Sequence, residues 1–357
     1  MTGQPTRLGT LQVGRGIAAL AVVIFHAHRY FIPEKLYPGE TLFLPFNMGY
    51  AGVEYFFVLS GFIIMHVHAR DIGARDRIGT FAWKRITRVY PVYWLVLAAV
   101  VAAAFIVPGF GPPAATDPAT IFGAALLWPE YSSDILVVAW TLSHEMLFYL
   151  VFLLFIVDLR LGTIVAAALL GGSVLKLVGL VEGYDFLFSS EHFLFLFGAL
   201  AALYWRHVPR TGAGTLMTVS VIAFVGIGVA DLYGHWPTNE AWRAIAYGIV
   251  ATLAVAAAVK WETTREAPVN RALMFLGDAS YSIYLAHAPA IALATSVVAA
   301  IGLNQLVPAW IMLIALTLGG MIAGIILHVL VEKPLIAMLK RPGPARRGLA
   351  AGRSADG

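Results

Sequence analysis

Ten stretches of about 20 mostly apolar residues follow one another along this chain, and that succession decides what it can fold into. They run near 11–31, 48–68, 84–107, 135–156, 161–181, 191–206, 214–232, 241–259, 279–301 and 309–331. A helix of that length matches the hydrocarbon core of a bilayer and satisfies its own backbone hydrogen bonds there. The expectation is an all-α membrane protein, a polytopic bundle of about ten transmembrane helices. Charge is scarce in the way this requires: 12% of the residues are charged and 60% hydrophobic, where an average soluble domain carries roughly 25% charged residues. So few charges cannot cover the water-facing surface of a soluble fold of 357 residues. An ordinary cytosolic enzyme, a disordered chain and, despite the net charge of +4, a nucleic-acid binder are thereby excluded. Cysteine is absent, which removes disulfides, thiolate metal sites and a cysteine nucleophile.

Lysine and arginine set the orientation. With the N-terminus inside, 20 of the 24 fall at cytoplasmic helix ends and loops, leaving Arg29, Lys35, Lys176 and Arg243 elsewhere. Positive charge gathers on the cytoplasmic side of membrane proteins, so both termini are expected to be cytoplasmic. The first span does not read as a cleaved signal. Arg15 precedes its apolar core, His26, His28 and Arg29 follow it, and no small-residue cleavage site is present. Residues 1–340 are expected to form a single membrane domain and 341–357 a disordered basic cytoplasmic tail. The largest outer loop, Pro108–Asp134, shows no periodicity, and no internal repeat of the transporter kind is visible.

Polar groups inside such spans are costly, and each marks a functional hypothesis. Arg15 and His26 lie eleven residues apart, close to three helical turns, which puts both on one face about 16 Å apart along the axis. Arg85 and Arg88 share a face at i, i+3 beside the cytoplasmic edge, an arrangement suited to a polyanion or to anionic lipid. Thr141, Glu145 and Tyr149 form a polar stripe at i, i+4, i+8 in the fourth span. Glu54 and Ser60 mark the second span, Asp278, Tyr284 and His287 the ninth, and Glu332 closes the tenth. His144-Glu145 begins like a zinc-protease motif, but Phe148 stands where the second histidine belongs. The pairs His26/His28 and His66/His68 are spaced i, i+2 and diverge on a helix, so no metal site is expected.

Six motifs occur in a fixed order: Arg15 with His26; Gly52-Val-Glu-Tyr-Phe-Phe-Val-Leu-Ser-Gly-Phe62; Lys84-Arg-Ile-Thr-Arg-Val-Tyr-Pro-Val-Tyr-Trp94; Trp140-Thr-Leu-Ser-His-Glu-Met-Leu-Phe-Tyr149; Leu276 through His287; and Val331-Glu-Lys-Pro334. In this series the chain resembles the acyltransferase-3 family of integral membrane O-acyltransferases, from about Leu11 to Pro334. Met146 in the fourth motif makes it most similar to the exopolysaccharide O-acetyltransferase branch. Gln12 stands where many members carry Asp, so no role of that Asp is carried over.

The resemblance implies a bundle that takes an acyl group, usually acetyl, from cytoplasmic acyl-coenzyme A and delivers it to a hydroxyl of a polysaccharide or lipid-linked glycan at the outer face. The membrane is then the bacterial cytoplasmic (inner) membrane, and the partners are membrane lipids, the acyl-CoA donor and the sugar acceptor. Self-association as a homo-oligomer is compatible with the sequence. An alcohol attacks poorly until its proton is removed, and histidine suits that task near neutral pH. His26 is expected to act as general base or transient acyl carrier, oriented by Glu145 or Glu54. Arg15, Arg85 and Arg88 are expected to hold the coenzyme A phosphates. Ser143, Tyr149, Tyr284 and His287 are the candidates for contacting substrate or the oxyanion. Two other readings place His and Glu in a bundle: a proton- or sugar-coupled transporter, and an O-acyltransferase acting on a small hydrophobic acceptor.

Overall fold

The computed structural model describes residues 8–107, 110–235, 239–264 and 270–339. The predicted tail at 341–357, with its arginines, and the basic positions Arg7, Arg265 and Lys340 lie outside the described residues. Apolar runs become helices throughout, and the described residues contain no strand. In chain order these are α1 (Gly9–His26), α2 (Gly52–His68), α3 (Ile78–Ile106), α4 (Pro118–Ala125), α5 (Ser132–Ile135), α6 (Ala139–Val157) and α7 (Leu159–Leu177). They are followed by α8 (Glu191–Tyr204), α9 (Ala213–Leu232), α10 (Glu240–Thr264), α11 (Arg271–Ala300), α12 (Ala309–Leu327) and α13 (Lys333–Leu339).

Nine helical stretches among the described residues are long and apolar enough to cross a membrane. The expected sixth span is the exception. It forms α8, of 14 residues, about 21 Å of helix and short of the roughly 30 Å hydrocarbon core. Its ends nevertheless reach both faces of the bundle. Ser190, just before it, shares a pocket with Lys176 at the end of α7 and Glu240 at the start of α10. Beyond its other end the Arg206 carbonyl accepts from Lys260 Nζ at 2.8 Å, near the end of α10. A short helix suffices here because its neighbours, not lipid, surround much of it. Gly61 of α2 and Gly198 of α8 allow this packing: a Cβ on Gly198 would collide with the Val58 carbonyl oxygen, and one on Gly61 with that of Phe195. Gly198→Ala is therefore expected to lower stability by about 1–3 kcal/mol through overpacking, read as an earlier thermal transition of the detergent-solubilised protein.

Counting α8 as a crossing closes the topology. The start of α1 and the end of α13 then lie on one face, here called the N-terminal face. Gly9 N donates to Glu262 Oε1 at 2.7 Å at the end of α10, and the Leu339 carbonyl accepts from Trp83 Nε1 at 3.3 Å near the start of α3.

The loop between α3 and α6, read from the sequence as lacking periodicity, nevertheless holds helices among its described residues. Asp117 caps α4 by accepting from Thr120 N at 2.7 Å, with Pro118 at the first helical position; together these are a standard helix start. α4 then folds back on α3, where Tyr93 Oη donates to the Ala124 carbonyl at 2.7 Å and Trp94 Nε1 to that of Ala125 at 2.8 Å. The loop thus packs against α3 and α6.

Candidate active site

α1 and α11 pack along one another closely enough that a side chain on Gly277 would strike the Gln12 carbonyl. The predicted shared face of Arg15 and His26 is turned to α11. Arg15 Nε donates to Ser280 Oγ at 3.1 Å, and His26 meets His287, with ring centroids 4.9 Å apart. Immediately after His26 the α-helix widens into a π-helical stretch, Ala27–Leu36, a distortion frequent at functional sites.

The histidine pair has a defined hydrogen-bond order. Nδ1 of His26 lies 2.9 Å from the Val22 carbonyl, and Nδ1 of His287 lies 3.0 Å from that of Ile283. Carbonyl oxygens only accept, so each Nδ1 carries the hydrogen. His287 Nε2 faces His26 Nδ1 at 3.3 Å as a second acceptor. Nε2 of His26 makes no hydrogen bond to the described residues and keeps its lone pair. His26 is half-buried, and Tyr30, whose ring lies 5.8 Å from it, is 42% exposed. Neither Glu145 nor Glu54 is hydrogen-bonded to His26; its polar partner is a second histidine.

On the N-terminal side lies a cavity of about 720 Å³. Arg15, Arg85 and Arg88 all line it, as do Thr141, Glu145 and Tyr149, the polar stripe of α6. Its mouth is at Gly79, Thr80, Trp83 and Lys84 on α3 and Leu339 of α13, and its inner end is at Phe56, Thr141 and Tyr284. The basic residues thus converge as expected, but their situations differ. Arg88 is held in an ion pair with Glu332, whose side chain is fully buried. The other Glu332 oxygen accepts from Ser282 Oγ and pairs with His328 Nδ1, both at 2.7 Å. Arg85 instead lies over the rings of Phe81 and Tyr149, 5.7 and 5.6 Å from their centroids, with Nε buried and without a hydrogen-bond partner. An unsatisfied guanidinium nitrogen lining a cavity is suited to an anion.

Glu145 accepts from Tyr149 Oη and, at 3.2 Å, from Ser60 Oγ, so Tyr149 belongs to the cavity wall. Ser143 is turned away from the cavity and donates to the Leu127 carbonyl at 2.8 Å, tying α6 to the loop that follows α4. Glu54 sits apart, with Oε2 buried and without a hydrogen-bond partner; Glu191, Arg243 and Asp231 are its charged neighbours. Asp231 accepts from Tyr50 Oη at 2.9 Å and pairs with Arg243 at 3.3 Å. Sequence reasoning missed Glu332 as the partner of Arg88 and His287 as the partner of His26. Both residues stand in the motifs already noted, the only signal available for them.

A helical membrane protein with a basic, inward-reaching cavity ending near a histidine pair defines the class. The chain belongs to the acyltransferase family, matching its acyltransferase domain over residues 8–329, and is an integral membrane acyltransferase. It is similar to the exopolysaccharide production protein ExoZ of Rhizobium meliloti, 32% identical over 330 residues that cover 87% of this chain and 96% of the relative. Nodulation protein 10 of Rhizobium leguminosarum bv. viciae is 25% identical over 268 residues, covering 66% of this chain and 70% of its own. Protein 2 in the picA locus of Rhizobium radiobacter is 35% identical over 103 residues, covering 29% and 48%. No solved structure matches the chain.

Proposed function

We propose that this protein transfers an acyl group, acetyl by preference, from acyl-coenzyme A on the cytoplasmic side to a hydroxyl of an exported glycan on the outer side of the bacterial inner membrane. One observation carries the reading: the cavity runs from a basic rim at Lys84 and Arg85 to Tyr284, whose ring centroid is 6.0 Å from that of His287, the partner of His26. The N-terminal face is then cytoplasmic, in keeping with the basic residues that gather there. The exopolysaccharide role in the ExoZ name supports a polysaccharide or lipid-linked sugar as acceptor.

In this reading Arg85 and Arg15 bind the phosphates of the donor, while Arg88, neutralised by Glu332, shapes the wall beside them. The apolar lining at Phe56, Leu142 and Ile64 takes the thin arm that bears the thioester. His26 Nε2 removes the proton of the acceptor hydroxyl; the oxygen attacks the thioester carbonyl, the carbon–sulfur bond breaks, and the departing thiolate takes that proton back from the His26 imidazolium and leaves as the thiol. His287, accepting from His26 Nδ1–H, keeps the base in the correct tautomer and steadies the imidazolium. No carboxylate is needed for that task in this geometry.

Arg85→Ala is expected to weaken coenzyme A binding by about 2 kcal/mol, roughly thirtyfold, the worth of a charge-assisted hydrogen bond. Calorimetric titration of coenzyme A into the detergent-solubilised variant measures this. Unchanged affinity would remove Arg85 from the donor site.

A further inference from the structure

The cavity and the histidine pair do not meet. His26 and His287 are absent from the cavity lining, while Tyr284 and Phe56 line its inner end. Tyr284 stands between: its ring is 6.0 Å from Phe56 on the cavity side and 6.0 Å from His287 on the other, centroid to centroid. Its hydroxyl lies 3.1 Å from Thr141 Oγ1, and Thr141 in turn donates to the Val138 carbonyl at 2.8 Å. Tyr284 is 8% exposed and Thr141 7%, so the partition is packed into the bundle rather than draped over it. Tyr284 thus joins the cavity lining to the histidine pair.

We infer that Tyr284, braced by Thr141 and Phe56, is the end wall that sets acyl length, admitting an acetyl-sized group toward His26 and holding longer chains back. This rests on the acyl-CoA reading above. The physical reason is positional. A donor anchored by its phosphates at Arg85 and Arg15 presents its acyl end at a fixed depth, and the phenol ring and its bonded threonine limit the volume beyond to that of a short acyl group. A longer chain must either displace the ring, losing the Thr141 contact, or buckle back into the cavity. Rigid packing around a buried aromatic makes both costly. Removing the ring opens apolar space that extra methylene groups fill favourably.

The test is equilibrium binding of coenzyme A, acetyl-CoA and hexanoyl-CoA to the full-length protein in detergent, in the wild type, Tyr284→Ala and Thr141→Val. Wild type is expected to bind acetyl-CoA more tightly than hexanoyl-CoA. In Tyr284→Ala the preference for hexanoyl over acetyl should rise by at least about tenfold, with coenzyme A affinity unchanged. Thr141→Val, which keeps the ring but removes its brace, should shift the ratio in the same direction and less. An acetyl-to-hexanoyl ratio equal to wild type in both variants overturns the end wall. Failure of wild type to bind coenzyme A itself overturns the acyl-CoA reading and the end wall with it. Loss of coenzyme A binding in Tyr284→Ala alone reports misfolding, and Thr141→Val then decides.

Discussion

Replacing His26 by alanine is expected to abolish acyl transfer while leaving coenzyme A bound as tightly as in the wild type. The two effects separate because the residues are separated: the basic groups line the cavity, whereas His26 lies beyond Tyr284 and outside that lining. Loss of a positioned general base typically slows a reaction by about 10²–10⁴-fold, and here no neighbouring group replaces it. His287 is poorly placed to do so, because it is fully buried and its ring is anchored through the Nδ1 hydrogen to the Ile283 carbonyl. Transfer measured with labelled acyl-CoA in membranes, beside coenzyme A titration of the same variant, checks both halves. Wild-type transfer by His26→Ala would remove His26 from the chemistry.

The second large effect concerns stability. Glu332→Ala is expected to cost about 1–3 kcal/mol, because it leaves the polar groups it satisfied without their buried partner, while Arg88 lines the cavity and is 30% exposed. Glu332 is fully buried and is shared by Arg88 of α3, Ser282 of α11 and His328 of its own helical stretch, so its loss unpairs three polar groups, two of them on other helices. The double variant Arg88→Ala with Glu332→Ala should be more stable than Glu332→Ala alone, since no unpaired charge is left behind. Thermal unfolding of the detergent-solubilised proteins measures both. A Glu332→Ala transition at the wild-type temperature would show that the pair is not an internal tie.

How much of this was legible in the sequence follows from what each feature depends on. A run of apolar residues as long as a bilayer is thick announces a spanning helix by itself, so nine of the expected ten appear at full length among the described residues. α8 is short because its length is set by α2 and α10 around it, and a window of hydropathy cannot see neighbours. The helix after Asp117 was readable from its cap and proline, although apolar periodicity gave no hint of it. Periodicity did place Arg15 with His26, and Thr141 with Glu145 and Tyr149, because residues on one helix face turn together. What it could not show is which face meets which. Arg88 and Glu332 are 244 positions apart, and His26 and His287 are 261 apart. The expectation that a carboxylate would orient His26 rested on residue chemistry alone. In the structure Glu145 is engaged by Ser60 and Tyr149 inside the cavity, and Glu54 sits among Arg243, Asp231 and Glu191. Ser143 was a fair oxyanion candidate by position in its motif, but its rotamer serves the Leu127 carbonyl.

Transfer of acyl groups through this bundle, from a cytoplasmic donor to an exported sugar as proposed, is read in the product itself. Mass spectrometry of the surface and exported glycans compares cells that make this protein, cells that lack it, and cells that make only the His26→Ala variant. A mass increment of one acyl unit is expected on a glycan in the first cells and in neither of the others. The same glycan masses in all three would contradict it.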